Sequence, residues 1–298
     1  ILPMIDWPEN LVDDIARRRA VIVVGSGVSK NSAGKVGKRP PTWSEFLKIA
    51  VNECPNRENH IRSAIKRGDY LTACEWLKHK LDEKWVTIIR REFVEPGYKA
   101  AEIHELIFKA DVRFVITPNF DKIYDNYASQ ASEGTILIKN YNDADIGDVF
   151  RGNKRAIIKA HGSIDSPVDM VFTREDYARV RTTNPRIYNV LDALLMTHTF
   201  LFVGCGIDDP DFRLLLEKYS FEHKNAAPHY MTLCNPVHRD LEKTLRTTMN
   251  IKAIKYSKKN NHEELTDSFR KLNELVEFRR DELGHVDKLL TQRRAATI

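Results

Sequence analysis

Cysteine is scarce in this chain: four residues in 298, at Cys54, Cys74, Cys205 and Cys234. None stands in a C-x-x-C pair, so no zinc ribbon can be built and no metal site is expected. Isolated thiols of this kind fit a reducing cytoplasm. No apolar run approaches the roughly 20 residues that a membrane span needs. No secretory signal pattern opens the chain. It starts at Ile1 rather than Met and is read as trimmed or as part of a longer protein. Internal repeats and low-complexity segments are absent as well. A strong charge of one sign is also missing, with 47 basic against 42 acidic residues and a net charge of +5. The short clusters Arg17, Arg18, Arg19 and Lys258, Lys259 read as solvated faces, and direct nucleic-acid binding is not indicated.

Two phosphate-binding fingerprints are incomplete. Val21-Ile22-Val23-Val24 is a β-branched strand that runs into Gly25-Ser26-Gly27-Val28-Ser29. Such a turn lets bare backbone N–H groups approach a pyrophosphate, although it can equally be a tight bend. Lys30 occupies the third glycine position of G-x-G-x-x-G, which disfavours the hydride-transfer dehydrogenases that use it. No G-x-x-x-x-G-K segment is present, so the turn is not a P-loop.

What is present alternates. A helix over 10–19 precedes strand 20–24. Thr42 and Glu45 form a capping box that starts a helix, and helical spacing then runs to about residue 110. This is a block of four or five helices between the first two strands, with Trp76 and Trp85 as core aromatics. Strands follow at 112–116, 135–138, 156–159, 199–203, 229–233 and 251–254, with helices at 174–179, 186–196, 210–219 and 263–278. The fold class is α/β: a Rossmann-like, doubly wound parallel sheet carrying an inserted helical module. One catalytic domain spans 1–280, and 281–298 is a tail that orders only in a complex and offers an assembly element.

In that architecture ligands bind outside the carboxyl ends of the strands. Those ends carry Gly25, Ser26, Gly27 and Ser29; then Thr117, Asn119 and Asp121; then His161 with Gly162 and Ser163; then Gly204, Gly206, Asp208 and Asp209. Each group has a plain structural explanation. Asn119 tolerates turn geometry, His161 can donate to a carbonyl, and Asp208 or Asp209 can cap the helix that Pro210 opens. Together they would converge on one cleft.

The set resembles the sirtuin superfamily. Gly25–Ser29 looks like its G-A-G-x-S nucleotide loop, Thr117-Pro118-Asn119-Phe120-Asp121 like its T-Q-N-x-D motif, and His161-Gly162 like its H-G motif, over roughly residues 5 to 280. The zinc ribbon and the Pro-Asp-Phe-Arg element of the deacylases have no counterpart. The segments 170–177 and 199–211 instead resemble the bacterial sirtuin-like defence branch, which includes the Thoeris effector and modules paired with HerA-type ATPases or short Argonautes. The resemblance implies an NAD+ glycohydrolase that depletes its substrate during phage infection. A deacylase or a non-catalytic NAD+ or ADP-ribose scaffold are the alternatives. It assigns Asn119 and His161 as the catalytic pair. Gly25, Ser26, Gly27, Ser29 and Thr117 would hold the cofactor, with Asp121 at the nicotinamide–ribose end and Gly204 and Gly206 at the adenosine end. It also implies a homo-oligomer or a HerA-type ATPase partner as the gate; the lack of a long apolar run is what sets the expectation of no membrane association.

Overall fold

A computed structural model describes residues 4–206 and 209–295, with 287–295 as backbone alone. Asp208 and the last three residues of the expected tail lie outside the described residues. The chain begins with α1 (Glu9–Ala16), β1 (Ala20–Val24) and a one-turn helix α2 (Ser26–Ser29). The inserted block follows as α3 (Trp43–Asn52), α4 (Asn59–Lys66), α5 (Tyr70–Leu81), α6 (Glu83–Phe93) and α7 (Glu102–Lys109). Alternation resumes with β2 (Phe114–Thr117), α8 (Ile123–Ala131), β3 (Leu137–Asn140), α9 (Ile146–Val149) and β4 (Ala156–Lys159). Then come α10 (Arg174–Thr183), α11 (Pro185–Thr197), β5 (Thr199–Val203), α12 (Pro210–Glu222), β6 (His229–Cys234), α13 (Arg239–Thr248), β7 (Ile251–Tyr256) and α14 (Lys259–Ala295).

The strands pair in the order β3-β4-β2-β1-β5-β6-β7, and every pairing is parallel. β1 lies between β2 and β5, with Val21 opposite both Phe114 and Phe200. The chain builds one half of the sheet outward from β1 and then returns to β5 for the other half. That reversal opens a crevice at the carboxyl ends of β1 and β5. All five residues of β1 are buried, as a strand covered by helices on both faces requires.

Each face of the sheet has its own apolar layer. Leu11, Ile15, Ile107, Phe269 and Leu272 cover one face. Leu191, Leu194, Leu216 and Leu245 cover the other. A third cluster sits over the carboxyl ends of the strands. There Phe46, Leu47, Leu77 and Trp85 of the block pack against Phe120, Ile164 and Phe172 from the sheet's own loops. Trp43 stacks on Phe172 at 5.2 Å, and Phe120 stacks on its neighbour Phe172 at 4.2 Å. The block is therefore anchored to the loops that carry the candidate site. Thr42 caps α3 through the reciprocal Thr42–Glu45 box that the spacing predicts.

Several expectations change. Trp76 is 36 % exposed and leans on His60, so of the two tryptophans Trp85 alone is a core aromatic. α7 packs with α14 against the sheet, outside the block's own core. The turn at Gly25 runs at once into α2. α13 has a polar sequence and buries Leu245 alone among its residues, which leaves almost no apolar periodicity to read. α14 continues beyond Phe278 to Ala295. Its stripe of Leu265, Phe269, Leu272 and Val276 is buried on the chain's own sheet. Burying one such side chain contributes about 2–3 kcal/mol.

Candidate functional site

The close approach of two chain segments builds the cleft wall. Gly25 donates its N–H to the Val203 carbonyl at 2.9 Å, and Gly27 donates to the Gly204 carbonyl at 2.9 Å. A Cβ on Gly25 would stand 2.3 Å from the Gly204 oxygen, and Gly204 itself has φ +62°. These glycines let α2 press against the end of β5. The N–H groups of Gly25 and Gly27 are committed to protein, which narrows the expected phosphate cradle. Of the glycine-loop set, Gly25, Ser26, Ser29 and Gly206 line the cleft, whereas Gly27 and Gly204 stand outside its lining.

A hydrogen-bonded chain then links three strand ends. Thr117 donates its hydroxyl to the Val24 carbonyl at 2.7 Å and accepts the Asn119 N–H at 3.1 Å. Thr117 is thus a buried brace between β1 and β2, not a group lining the cleft. The Asn119 amide donates to Ser29 Oγ at 3.1 Å, and Ser29 donates to Asp121 Oδ2 at 2.9 Å. Asp121 Oδ1 accepts the Ile123 N–H at 3.0 Å, which fixes the carboxylate at the start of α8. A Ser–Asp contact reaching back to the glycine turn leaves the Asn119 side-chain carbonyl oxygen as a remaining acceptor.

Beneath this chain lies a buried ion pair. Lys159 Nζ donates to the Asp121 carbonyl at 2.6 Å and to Asp125 Oδ2 at 2.8 Å, with both side chains almost fully buried. Burial pushes the Asp125 carboxyl up even though Lys159 pulls it down. Lys159 stands two residues before His161 on the same strand end, so it ties the Asn119 loop to the His161 loop.

His161 is 5 % exposed, and its backbone carbonyl accepts the Val171 N–H at 3.0 Å. Its Nε2 lies 3.4 Å from Asp209 Oδ2. Tyr177 meets the imidazole edge-on at 5.2 Å and donates its hydroxyl to the same Asp209 oxygen at 3.3 Å. Burial and then Asp209 drive the Tyr177 phenol well above its ordinary range, so it stays a donor. Asp209 Oδ1 meanwhile caps α12 by accepting from Asp211 and Phe212 N–H. The helix-cap reading of Asp209 therefore holds, and the same carboxylate also reaches the imidazole.

Asn119, Asp121, His161, Ser29 and Asp209 share one cleft of about 370 Å³. Residues 113–254 of this chain match the SIR2-like domain family. The matched span holds the Asn119, His161 and Gly204 segments and leaves Gly25–Ser29 outside it. Among curated proteins, the NAD(+) hydrolase ThsA of Enterococcus faecium is 24% identical over 225 residues, covering 72% of this chain and 43% of that protein. The NAD(+) hydrolase ThsA of Bacillus cereus is 22% identical over 226 residues, covering 74% and 44%. Defense-associated sirtuin 2 of Bacillus subtilis is 24% identical over 219 residues, covering 72% and 20%. The chain thus spans less than half the length of the curated relatives it matches.

The cleft has a second half that strand-end reasoning misses. Pro40, Pro41 and Trp43 before and within α3, and Gly68–Leu71 before and within α5, form its roof. Beyond Gly206 the lining turns apolar, with Phe212, Leu216, Met231 and Met249. A site that is polar at one end and apolar at the other suits a ligand with a ribose–phosphate centre and a flat base. Cys205 lines the cleft too, and burial pushes its thiol up to about 12. Among the described residues no group of three His, Cys, Asp or Glu side chains could hold a metal ion.

Proposed function

We propose that this chain hydrolyses NAD+ to nicotinamide and ADP-ribose and acts in bacterial anti-phage defence by depleting NAD+. The observation that carries the reading is the convergence of Asn119 and His161 on one cleft, with Ser29 and Asp121 ordering the asparagine. The relatives named for NAD+ hydrolysis and for defence support it.

The chemistry follows from the residues. Breaking the bond between ribose C1′ and the pyridinium nitrogen sends the bonding pair to the ring and releases neutral nicotinamide. Positive charge then develops at C1′ and its ring oxygen, and water adds there, losing its proton. Asn119 can hold the ribose or the water, since its amide both donates and accepts. His161 can take the proton, and Asp209 stands where an imidazolium would form. Asp121 orders the ribose end through Ser29. Gly25, Ser26 and Gly206 flank the pyrophosphate, and the apolar pocket past Gly206 takes the adenine.

A hydrolase of this kind would poison its own cell if it were always on. Gating by homo-oligomer formation or by a HerA-type ATPase or short-Argonaute partner is part of the proposal. The length of α14 beyond Arg280, where Val286 is 52 % exposed, is the element left for such contacts.

The test is purified chain with NAD+, alone and with an acetyl-lysine peptide, followed by chromatography. Equal release of nicotinamide and ADP-ribose without peptide is expected. Asn119→Ala and His161→Ala should each lower it at least about 100-fold with an unchanged circular dichroism spectrum. Peptide-dependent turnover would make it a deacylase instead, and full activity in either folded variant would remove the assignment.

A further inference from the structure

A second cavity, of about 360 Å³, lies behind the catalytic loops. Phe93 lines both cavities, so its ring is part of the wall between them. Three segments enclose the second one: the end of α6 with the turn after it, the first turn of α8, and the loop after β4. The last two directly continue the loops that bear Asn119 and His161. Lys122 follows Asp121 in the chain, and Asp165 lies four residues past His161. Their side chains pair at 2.6 Å across the cavity wall. This bridge straps the Asn119 loop to the His161 loop from behind.

The lining has a distinct chemistry. Its floor is apolar, with Phe93, Ile123 and Ile164, and the last two are nearly buried. Its rim carries Arg90, which is exposed and has no carboxylate partner among the described residues. Lys122 stands on the same rim and pairs with Asp165, whose side chain is 64 % exposed. Two cations thus face one carboxylate over a hydrophobic floor. A neutral hydrophobe would leave Arg90 unused, and a cation would be repelled. An anionic head on a flat apolar body satisfies both parts. A guanidinium fork with a neighbouring ammonium suits a phosphate or carboxylate.

We propose that this cavity binds a small organic anion, a phosphate or carboxylate head on a planar apolar body, with Arg90 and Lys122 on the head and Phe93 and Ile164 on the body. Lys122 meets the head by sharing or leaving Asp165, so occupancy loosens the strap between the two catalytic loops. The effect on turnover rests on the NAD+-cleaving reading, whereas the binding itself does not.

The experiment titrates phenyl phosphate and, separately, benzoate into the whole chain, followed by calorimetry and by amide chemical shifts. Saturable one-site binding of at least one probe is expected. Phosphate alone and benzyl alcohol alone should bind at least about tenfold more weakly, because each satisfies half of the site. The exposed pair Arg90→Glu and Lys122→Glu, made together, should weaken the probe at least about tenfold. His161→Ala should leave it within about twofold, since that residue belongs to the other cavity. A stronger phenyl phosphate marks a phosphate ester as the ligand, and a stronger benzoate marks a carboxylate. No saturable binding of either probe overturns the proposal. So does binding that survives the charge reversal, that His161→Ala removes, or that ADP-ribose displaces. Those results are independent of whether NAD+ is cleaved.

Discussion

Asp209 Oδ2 lies 3.4 Å from His161 Nε2 while the other oxygen of the same carboxylate caps α12. A helix terminus thereby fixes the position of a charge beside the imidazole. Asp209→Asn keeps an oxygen for the cap and removes the charge. We expect kcat for NAD+ cleavage to fall about 10- to 100-fold with KM changed by less than about threefold, since an imidazolium formed in the reaction loses its counter-charge. Steady-state kinetics on the folded variant decide it, and an unchanged kcat would leave Asp209 as a cap only.

The Lys159–Asp125 pair calls for a double-variant comparison. Lys159→Met alone strands a buried carboxylate and should cost about 3–5 kcal/mol in urea unfolding. Lys159→Met with Asp125→Leu removes both charges and should recover most of that loss. Activity should stay low in the stable double variant, because the 2.6 Å tether from Lys159 to the Asp121 carbonyl is gone. Full activity there would show the tether to be dispensable.

His229 predicts a pH dependence of stability. Burial lowers its pKa from 6.5 to about 4, and its Nδ1 accepts the Phe200 N–H at 3.1 Å, which requires a neutral ring. The unfolded chain binds the proton more readily than the folded one between those values. Stability is therefore full above about pH 6.5 and falls as the pH drops toward about 4, by up to about 3 kcal/mol from this group. His104 is likewise lowered by burial and adds to the same trend. His229→Asn retains an acceptor for Phe200 and should flatten the curve in that window. Equal slopes for variant and parent in urea titrations at pH 4.5 to 7, roughly the window between the two values, would exclude His229 as the source.

Much of the scaffold is legible in the sequence because its signals are local. Thr42 and Glu45 announce a helix start by themselves. The run Val21–Val24 is apolar at every position, as a strand covered on both faces must be. Gly25, Asn119 and His161 mark strand ends because turn residues follow apolar runs. α13 escapes for the opposite reason: it buries only Leu245, so its helix is held by β7 and α12 beside it and not by its own pattern.

The residue chemistry of the site is thus written in the chain: an amide, an imidazole, two carboxylates and a glycine turn at successive strand ends. Which groups touch is set only by the fold. Gly27 became a packing glycine because β5 comes within hydrogen-bond distance of α2, leaving its N–H no freedom to meet a ligand. Thr117 became a brace because its hydroxyl reaches Val24 before it can reach the cleft. Asp209 became a neighbour of His161 because parallel register sets the ends of β4 and β5 along one edge of the sheet, with β2 and β1 between them. Sequence determines which side chains can do chemistry; the spacing of strands, about 4.8 Å apart, determines which of them can do it together.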